Sequence, residues 1–366
     1  MRFSRLVSAL LGCALLGLPA AKEAAAAEPR VANTAKAKKA AVKPQAKSAP
    51  KVAAKPAARA AKRSSVVAAR ASRAMAAKAA PQKVSYSRKR IERPAVVDDP
   101  IAAFDPQLGP SLASASVLVT NQTTGEVILE KNPQAVVPIA SITKLMTAMV
   151  VLDGQQSLTE SLRVSEEDID TLKGSSSRLP VGTTMTREEM LRLALMASEN
   201  RAASSLARHY PGGFPAFVVA MNRKAQAIGL SDTHFLDSTG LNSSNVSSAR
   251  DLTKMVAAAS RYPLIREFST TAEHEVEVAG RVRRFGNTNA LVRSPEWEIG
   301  VSKTGYISES GRCLVMQAWM HDKPLIIVLL DSLGKYTRVA DAQRIRKWLE
   351  AGGAQRIAVA PGARAS

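Results

Sequence analysis

The alternation of hydrophobic and polar positions first predicts a β-hairpin shortly after residue 110. Residues 115–121 and 126–131 are strand-length runs rich in Val, Leu and Ile. Thr123-Thr124-Gly125 lies between them and has the composition of a turn. Two such runs joined by a short Gly-containing segment are typical of antiparallel strands.

The next block of the chain has the periodicity of helices. Apolar residues recur at three- and four-residue spacing, and the block contains helix-start signals such as the capping box Thr186 to Glu189. The helices predicted here cover residues 141–153, 190–196, 202–209, 214–228 and 252–260. This middle block is therefore expected to be helical throughout.

After residue 272 the pattern changes back to strands. Residues 275–278 and 281–285 flank Ala279-Gly280, which predicts a second hairpin. Further strands are predicted over residues 299–304, 314–320 and 325–331, and a closing helix over 339–350. Strands at both ends with helices between them predict an α/β fold, in which an antiparallel sheet is flanked by helices and carries an inserted all-helical lobe. A site is expected in the cleft between lobe and sheet.

The first 27 residues have the features of a secretory signal peptide. A basic start is followed by an apolar stretch over residues 6–18, and small residues precede Glu28. That stretch is too short to span a membrane, and no other window is long and apolar enough. Cys313 is the one cysteine left after cleavage, and its apolar neighbours predict a buried thiol. The protein is therefore expected outside the cytoplasm, without an internal disulfide.

The net charge of +20 is concentrated in one segment. Residues 28–95 hold 19 Lys and Arg against 2 Asp and Glu, whereas residues 96–366 hold 29 against 28. Few large apolar residues and a one-sign charge excess predict a disordered tether over residues 28–109. Because export separates it from nucleic acid, an anionic envelope polymer or a membrane surface is the expected partner. A spacer without a specific partner is the alternative. Residues 351–366 are expected to be a flexible tail.

Candidate chemistry begins with Ser141 and Lys144. They are three residues apart at a predicted helix start, so their side chains share a face. A serine hydroxyl needs a base, and a lysine can act as one when burial or a neighbouring cation lowers its pKa. Alone, the pair is better explained by a serine helix cap and a solvated lysine, because Ser-x-x-Lys occurs by chance in many chains.

Two further triplets change that interpretation. Ser198-Glu199-Asn200 lies at a predicted helix junction, and Lys303-Thr304-Gly305 ends a predicted strand. The ordered set Ser-x-x-Lys, Ser-x-Asn and Lys-Thr-Gly resembles that of penicillin-binding proteins and class A β-lactamases.

The similarity extends to the D-alanyl-D-alanine endopeptidase branch of the low-molecular-mass D,D-peptidases and covers residues 110–350. It is carried by residues 140–148, 198–203, 209–213, 247–254, 287–289 and 334–337.

The resemblance implies an acyl-enzyme mechanism. Ser141 would attack the carbonyl of the penultimate D-Ala, and Lys144 would take its proton, with a pKa lowered by desolvation and by the Lys303 cation. Ser198 would relay a proton to the departing amine. Asn200 would hold Lys144 and the substrate amide.

The same resemblance implies a substrate-binding strand. Lys303 and Thr304 would meet a substrate carboxylate, and Gly305 would leave room for the substrate along the strand edge. The backbone N–H groups of Ser141 and Tyr306 would form the oxyanion hole. No cofactor is implied, and the scattered histidines lack metal-ligand spacing.

Several alternatives remain open at this point. The activity could be that of a D-alanyl-D-alanine carboxypeptidase trimming terminal D-Ala, a β-lactamase, or a non-catalytic wall-binding module. The Glu-x-x-Leu-Asn loop of class A β-lactamases is absent between residues 200 and 303, so a penicillin adduct is expected to be long-lived. Some carboxylates lie outside these motifs. Glu166, Asp168 and Asp170 are expected on a solvated loop. Glu199 is expected to pair with Arg201 or Arg208.

Overall fold

The computed structural model describes residues 104–105 and 109–353. The predicted signal peptide, nearly all of the basic tether and most of the predicted tail lie outside the described residues. The strands are β1 (Phe104–Asp105), β2 (Gly109–Pro110), β3 (Ser114–Asn121), β4 (Val127–Lys131), β5 (Val137–Pro138), β6 (Ser161–Arg163), β7 (Thr184–Thr186), β8 (Val246–Ser247), β9 (Glu273–Val278), β10 (Arg281–Gly286), β11 (Glu298–Ile307), β12 (Gly311–Met320) and β13 (Lys323–Ser332). The helices are α1 (Thr143–Asp153), α2 (Arg187–Met196), α3 (Asn200–Arg208), α4 (Gly213–Ala227), α5 (Ala249–Ala259), α6 (Pro263–Thr270) and α7 (Thr337–Glu350).

The main sheet has five antiparallel strands in the order β11-β12-β13-β3-β4. The N-terminal hairpin β3–β4 joins the C-terminal strands through β13, where Leu118 pairs with Val328. The prediction that strands from both ends of the chain form one sheet is therefore confirmed. The predicted hairpin of β9 and β10 also forms, as a separate two-stranded sheet.

The sheet is buried on both faces. All eight residues of β3 are buried, as expected for a strand covered on two sides. Val117 and Val119 point into one apolar cluster, which includes Ile345 of α7. Leu118, one residue out of phase, points into the larger cluster shared with the helical lobe. The sheet thus separates two cores.

The lobe is built around α1. Its residues 143–151 are all buried, which identifies a helix surrounded by protein rather than an amphipathic surface helix. At the start of α2 the predicted capping box forms, with Thr186 accepting from the backbone N–H of Glu189. The lobe also contains short strand pairs, β6–β7 and β5–β8, which helical periodicity did not predict. Helix α6 was missed as well.

Within the described residues, no helix is long and apolar enough to cross a membrane. Cys313 is a buried free thiol on β12, as predicted. Burial raises its pKa to about 11, which makes this thiol a poor nucleophile.

Candidate active site

Ser141 lies on a single 3₁₀ turn, Ala140–Ile142, that leads directly into α1. Lys144 is in the first turn of α1, and its Nζ lies 2.9 Å from Ser141 Oγ. Ala140, just before the serine, has a φ of 47°, a left-handed conformation that is strained for a residue with a Cβ. The two side chains share a face, as the sequence predicted, and they are in direct hydrogen-bonding contact.

The amine of Lys144 is completely buried and has three acceptors around it. Besides Ser141 Oγ, it contacts Asn200 Oδ1 at 2.7 Å and the carbonyl oxygen of Thr239 at 2.8 Å. Burial lowers the pKa of Lys144 from its ordinary 10.5 to about 7, while the carboxylates of Asp237 and Glu199 oppose that shift. An amine in this environment exchanges its proton near neutral pH.

The loop that supplies Thr239 is organised by one carboxylate. Asp237 accepts from the backbone N–H groups of Thr239, Gly240 and Asn242 at 2.5 to 2.7 Å. Gly240 has a φ of +81°, and a Cβ there would lie 1.9 Å from the carbonyl oxygen of Ala140. Only glycine therefore fits between this loop and the turn that carries the serine.

The triplet around Ser198 links α2 to α3, as the sequence predicted. Ser198 itself has a φ of 60°, which turns the chain sharply between the two helices. Asn200 is the first residue of α3; its amide nitrogen donates to Ser175 Oγ at 2.9 Å, so that its oxygen is left for Lys144. Lys303 reaches across the cleft and donates to Ser198 Oγ at 2.9 Å.

Lys303, Thr304 and Gly305 lie inside β11. The prediction that the triplet ends its strand is wrong, because pairing with β12 continues through Ile307. Lys303 is buried, and its pKa is lowered well below the ordinary value by burial first and then by the cations Lys144 and Arg338. Thr304 Oγ1 donates to Thr288 Oγ1 at 2.7 Å.

The close approach of β11 to the turn that carries Ser141 depends on Gly305. A Cβ at this position would lie 2.8 Å from the carbonyl oxygen of Ile139 and 3.3 Å from the backbone nitrogen of Ser141. The next residue, Tyr306, exposes its side chain, with Arg312 stacked 4.5 Å from the ring centre. The strand edge and the serine turn therefore border the same space.

The structure adds residues that the sequence analysis missed. Thr239 and Asp237 complete the surroundings of Lys144, and their loop has no motif by which it could have been found. Arg338, at the start of α7, donates to the carbonyl oxygen of Gly305 at 3.0 Å and lowers the pKa of Lys303 from behind the strand. An arginine on a predicted closing helix carries no sequence signal for such a place.

Glu199 has different partners from those expected. Its carboxylate is 6% exposed and binds Arg178 Nε at 2.9 Å and Ser177 Oγ at 2.7 Å. The expected pairing with Arg201 or Arg208 is wrong.

The prediction of a solvated carboxylate loop also fails at Asp168. This side chain is buried and binds Arg208 at 2.9 Å and Ser204 Oγ at 2.8 Å. It ties a 3₁₀ turn to α3, which is a structural role.

Within the described residues, no three His, Cys, Asp or Glu side chains lie together so that they could hold a metal ion. The donors at the site are hydroxyls, amines and an amide. These groups suit proton transfer and acyl transfer.

Comparison with known proteins defines the class. The model of the peptidase S11 family, described as D-alanyl-D-alanine carboxypeptidase, matches residues 103–334. The chain belongs to this family and is a serine-type D-Ala-D-Ala peptidase. The fold class and the family resemblance inferred from the sequence are thereby confirmed.

Two relatives are named as D-alanyl-D-alanine endopeptidases. A D-alanyl-D-alanine endopeptidase of Pseudomonas aeruginosa is 51% identical over 243 residues, which cover 66% of this chain and 78% of that protein. A D-alanyl-D-alanine endopeptidase of Escherichia coli is 47% identical over 245 residues, covering 66% and 79%. The predicted similarity to the endopeptidase branch is confirmed.

Solved structures show the same fold. The D,D-transpeptidase of Streptomyces K15 superposes with a TM-score of 0.62 at 28% identity, covering 66% of this chain and 99% of that one. Penicillin-binding protein D2 of Listeria monocytogenes, in a cefotaxime-bound form, gives a TM-score of 0.57 at 26% identity, covering 65% and 97%.

Proposed function

We propose that this chain is a D-alanyl-D-alanine endopeptidase that hydrolyses the peptide cross-links of peptidoglycan through an acyl intermediate on Ser141. The observation that carries the proposal is the buried Lys144 amine, 2.9 Å from Ser141 Oγ and with a pKa of about 7. The names of the relatives support the choice of cross-links as substrate.

The contacts of Lys144 support its role as the base. When the amine is neutral, its two N–H bonds are donated to Asn200 Oδ1 and the Thr239 carbonyl. The lone pair is then directed at Ser141. The proton of the hydroxyl passes to Nζ as Oγ attacks the carbonyl carbon of the penultimate D-Ala. The oxyanion that forms is held by the backbone N–H groups of Ser141 and Tyr306.

Collapse of the tetrahedral intermediate requires a proton on the departing amine. Ser198 receives a hydrogen bond from Lys303, so its own hydroxyl proton is free to pass to the amine nitrogen while Ser198 takes up the proton held by Lys144. The amine product leaves and the acyl group stays on Ser141. Lys144 then takes a proton from a water molecule as its oxygen attacks the ester carbon. The bond to Ser141 Oγ breaks, the acid is released, and Lys144 returns the proton to Ser141 Oγ.

Lys303, Thr304 and Gly305 form the substrate-binding side. A carboxylate of the substrate near Lys303 would favour the charged form of this amine, because an opposite charge raises a lysine pKa. Substrate binding would thereby restore the charge that burial, Lys144 and Arg338 disfavour in the free protein.

Cross-linked and uncross-linked peptides distinguish the candidate activities. The protein is incubated with purified muropeptide dimers and with pentapeptide monomers, and the products are separated. Conversion of dimers to monomers supports the endopeptidase, and loss of terminal D-Ala alone would support a carboxypeptidase instead. Ser141→Ala, which removes the nucleophile, must abolish both conversions.

A fluorescent penicillin tests the mechanism separately. Stable, stoichiometric labelling of the wild type and none of Ser141→Ala are expected. Steady turnover of the penicillin would favour a β-lactamase, and absence of labelling on folded protein would favour a non-catalytic wall-binding module.

The rest of the proposal concerns the regions outside the catalytic domain, which we assign to residues 110–350. Residues 1–27 would direct export to the periplasm, residues 28–109 would act as a basic tether, and residues 351–366 would be a flexible tail. Excess positive charge over residues 28–95 supports binding of the tether to an anionic envelope polymer or membrane surface. Deleting residues 28–95 should weaken binding to isolated cell walls at low salt and leave dimer cleavage intact. Equal wall binding by both forms would contradict the tether's role.

A further inference from the structure

A cavity on the lobe side adjoins the active site. It has a volume of about 480 Å³, and its lining includes Ser177, Arg178, Ser198, Glu199, Asn200 and Arg283. Ser198 contacts Lys303, and Asn200 contacts Lys144. The cavity is therefore continuous with the groups that surround Ser141.

The volume exceeds what the reacting D-Ala residues need. At about 480 Å³ it falls in the size range of small-molecule sites. A D-Ala side chain is a single methyl group. A larger part of the substrate must occupy this space if the cavity serves catalysis.

The charges around the cavity favour an anion. Arg178 is neutralised by Glu199 through a 2.9 Å ion pair, and its guanidinium lies 4.0 Å from the centre of the Phe285 ring. Arg283 projects from the exposed part of β10 and has no carboxylate partner within the described part of the chain. Two cations and one carboxylate leave a surplus of one positive charge.

The hairpin gives Arg283 a defined place. β9 and β10 pair in register over six residues, with Arg283 opposite Val276, and the neighbouring Phe285 is fully buried. The strand is therefore anchored, and Arg283 is held at the cavity rather than on a loose loop. An arginine so placed binds a carboxylate with two parallel hydrogen bonds.

We propose that this cavity is a specificity subsite in which Arg283 binds a side carboxylate of an acidic peptide substrate flanking the scissile bond. The inference rests on the proposed function, because it takes the peptide cross-link as the molecule that enters the cleft. It assigns to Arg283 a role in choosing among substrates, and none in the bond-breaking steps.

The test compares two forms of one substrate. A synthetic cross-linked peptide dimer carries free side carboxylates beside the scissile bond, and a second dimer carries amides in their place. Arg283→Gln should lower kcat/KM for the acidic dimer about tenfold, mainly through KM, and change kcat/KM for the amidated dimer far less. Arg283→Lys should keep part of the preference because it keeps the charge.

Arg281→Gln is the matched control. Arg281 lies on the same strand and is also exposed, and its replacement removes the same charge, but it does not line the cavity. This variant should leave the ratio of acidic to amidated kcat/KM unchanged. An unchanged ratio in Arg283→Gln, or an equal change in Arg281→Gln, would overturn the proposal.

The two proposals fail in different ways. Failure of the wild type to cleave either dimer would count against the endopeptidase, and the same acid-to-amide comparison on uncross-linked pentapeptides would still decide the role of Arg283. Penicillin acylation of each variant reports whether its active site is intact. If Arg283→Gln damages the site, Arg283→Lys carries the comparison, with Arg281→Gln as its control.

Discussion

The two sides of the cleft each present one buried lysine, and the two environments differ. Lys144 on α1 has three acceptors and two nearby carboxylates, whose attraction limits the lowering of its pKa to about 7. Lys303 on β11 has two acceptors, Ser198 Oγ and the Thr304 carbonyl, and two nearby cations that add to the effect of burial. The same residue type is tuned in one place by opposite charges and in the other by like charges.

This difference supports the proposed roles of Lys144 as the base and Lys303 as a binding group. A base must accept and release a proton near the working pH, which suits the amine with a pKa near 7. Where like charges disfavour the charged form of an amine, a bound anion stabilises that form most. Such an amine suits the binding of an anionic group. The comparison teaches that burial alone does not make a lysine a base; the charges within reach decide what burial achieves.

Replacing Lys144, the proposed base, should have the largest effect on acylation. Lys144→Met removes the proton acceptor and keeps an apolar side chain of similar length, so acylation by a fluorescent penicillin should fall about 10³-fold. Thermal unfolding checks the fold, since removal of a buried amine need not destabilise the protein. Acylation within tenfold of the wild type would refute the assignment of Lys144 as the base.

A substitution beside the Lys144 acceptor should come next. Gly240→Ala forces a Cβ against the Ala140 carbonyl and the Ser141 backbone, and should slow acylation about 10²-fold by displacing the serine turn. Gly280→Ala is the matched control, since Gly280 also has a positive φ of +73° but a Cβ added there would meet nothing within 4 Å. Similar acylation rates in the two variants would show that the turn tolerates the displacement.

The pH dependence of acylation tests the electrostatic surroundings of Lys144. Because the neutral amine of Lys144 is the reactive form, the acylation rate should rise with pH and level off above about 7. Glu199→Gln removes a charge that raises the pKa of Lys144, so the rising limb should move to lower pH. Glu188→Gln, on the same lobe but outside the site, should leave the limb in place. A limb that moves to higher pH in Glu199→Gln would contradict this electrostatic account.

The smallest effect is expected where the lobe and the sheet are linked by a surface ion pair. Lys173 binds Glu309 at the turn between β11 and β12, and this contact, with a hydrogen bond from Ser308, lowers the pKa of Glu309 to about 2. The lowered pKa means that the pair stabilises the fold above the ordinary glutamate pKa and loses this effect as the pH falls towards 2.

Glu309→Gln should therefore reduce the free energy of unfolding at pH 7 by less than about 1 kcal/mol, measured by urea unfolding, and by less still in high salt. Acylation should stay within about twofold. Glu273→Gln is the control. It breaks an exposed ion pair with Arg284 that lies within the β9–β10 hairpin and does not link the lobe to the main sheet. A change in acylation with Glu309→Gln alone would show that the link sets the geometry of the cleft.

Much of the fold was predictable because its signals are local. The period-2 and helical patterns indicated the strands of the main sheet and most helices, and the turn and capping residues marked their ends. The short pairs β6–β7 and β5–β8 escaped because two or three residues carry no periodicity. Helix α6, eight residues long, was also missed, although helices of similar length were predicted elsewhere.

At the site, motif spacing predicted Ser141 and Lys144, whose contact is set by the three-residue separation on one helical turn. It could not predict Thr239, which reaches Lys144 from 95 residues away. Nor could it predict that Glu199 would turn to Arg178, because the choice among several arginines depends on how the loop before α2 packs against the Ser198 turn. Long-range partners follow from packing.

The sequence by itself determined most of the longer elements, the order of the three motifs and the residue types able to carry acyl transfer, because these depend on neighbours within a few positions. The tertiary structure alone decided the protonation behaviour of the two lysines, the loop that surrounds the Lys144 amine, and the arginine that lines the cavity on the lobe side. Those properties depend on burial and on charges brought together from distant parts of the chain.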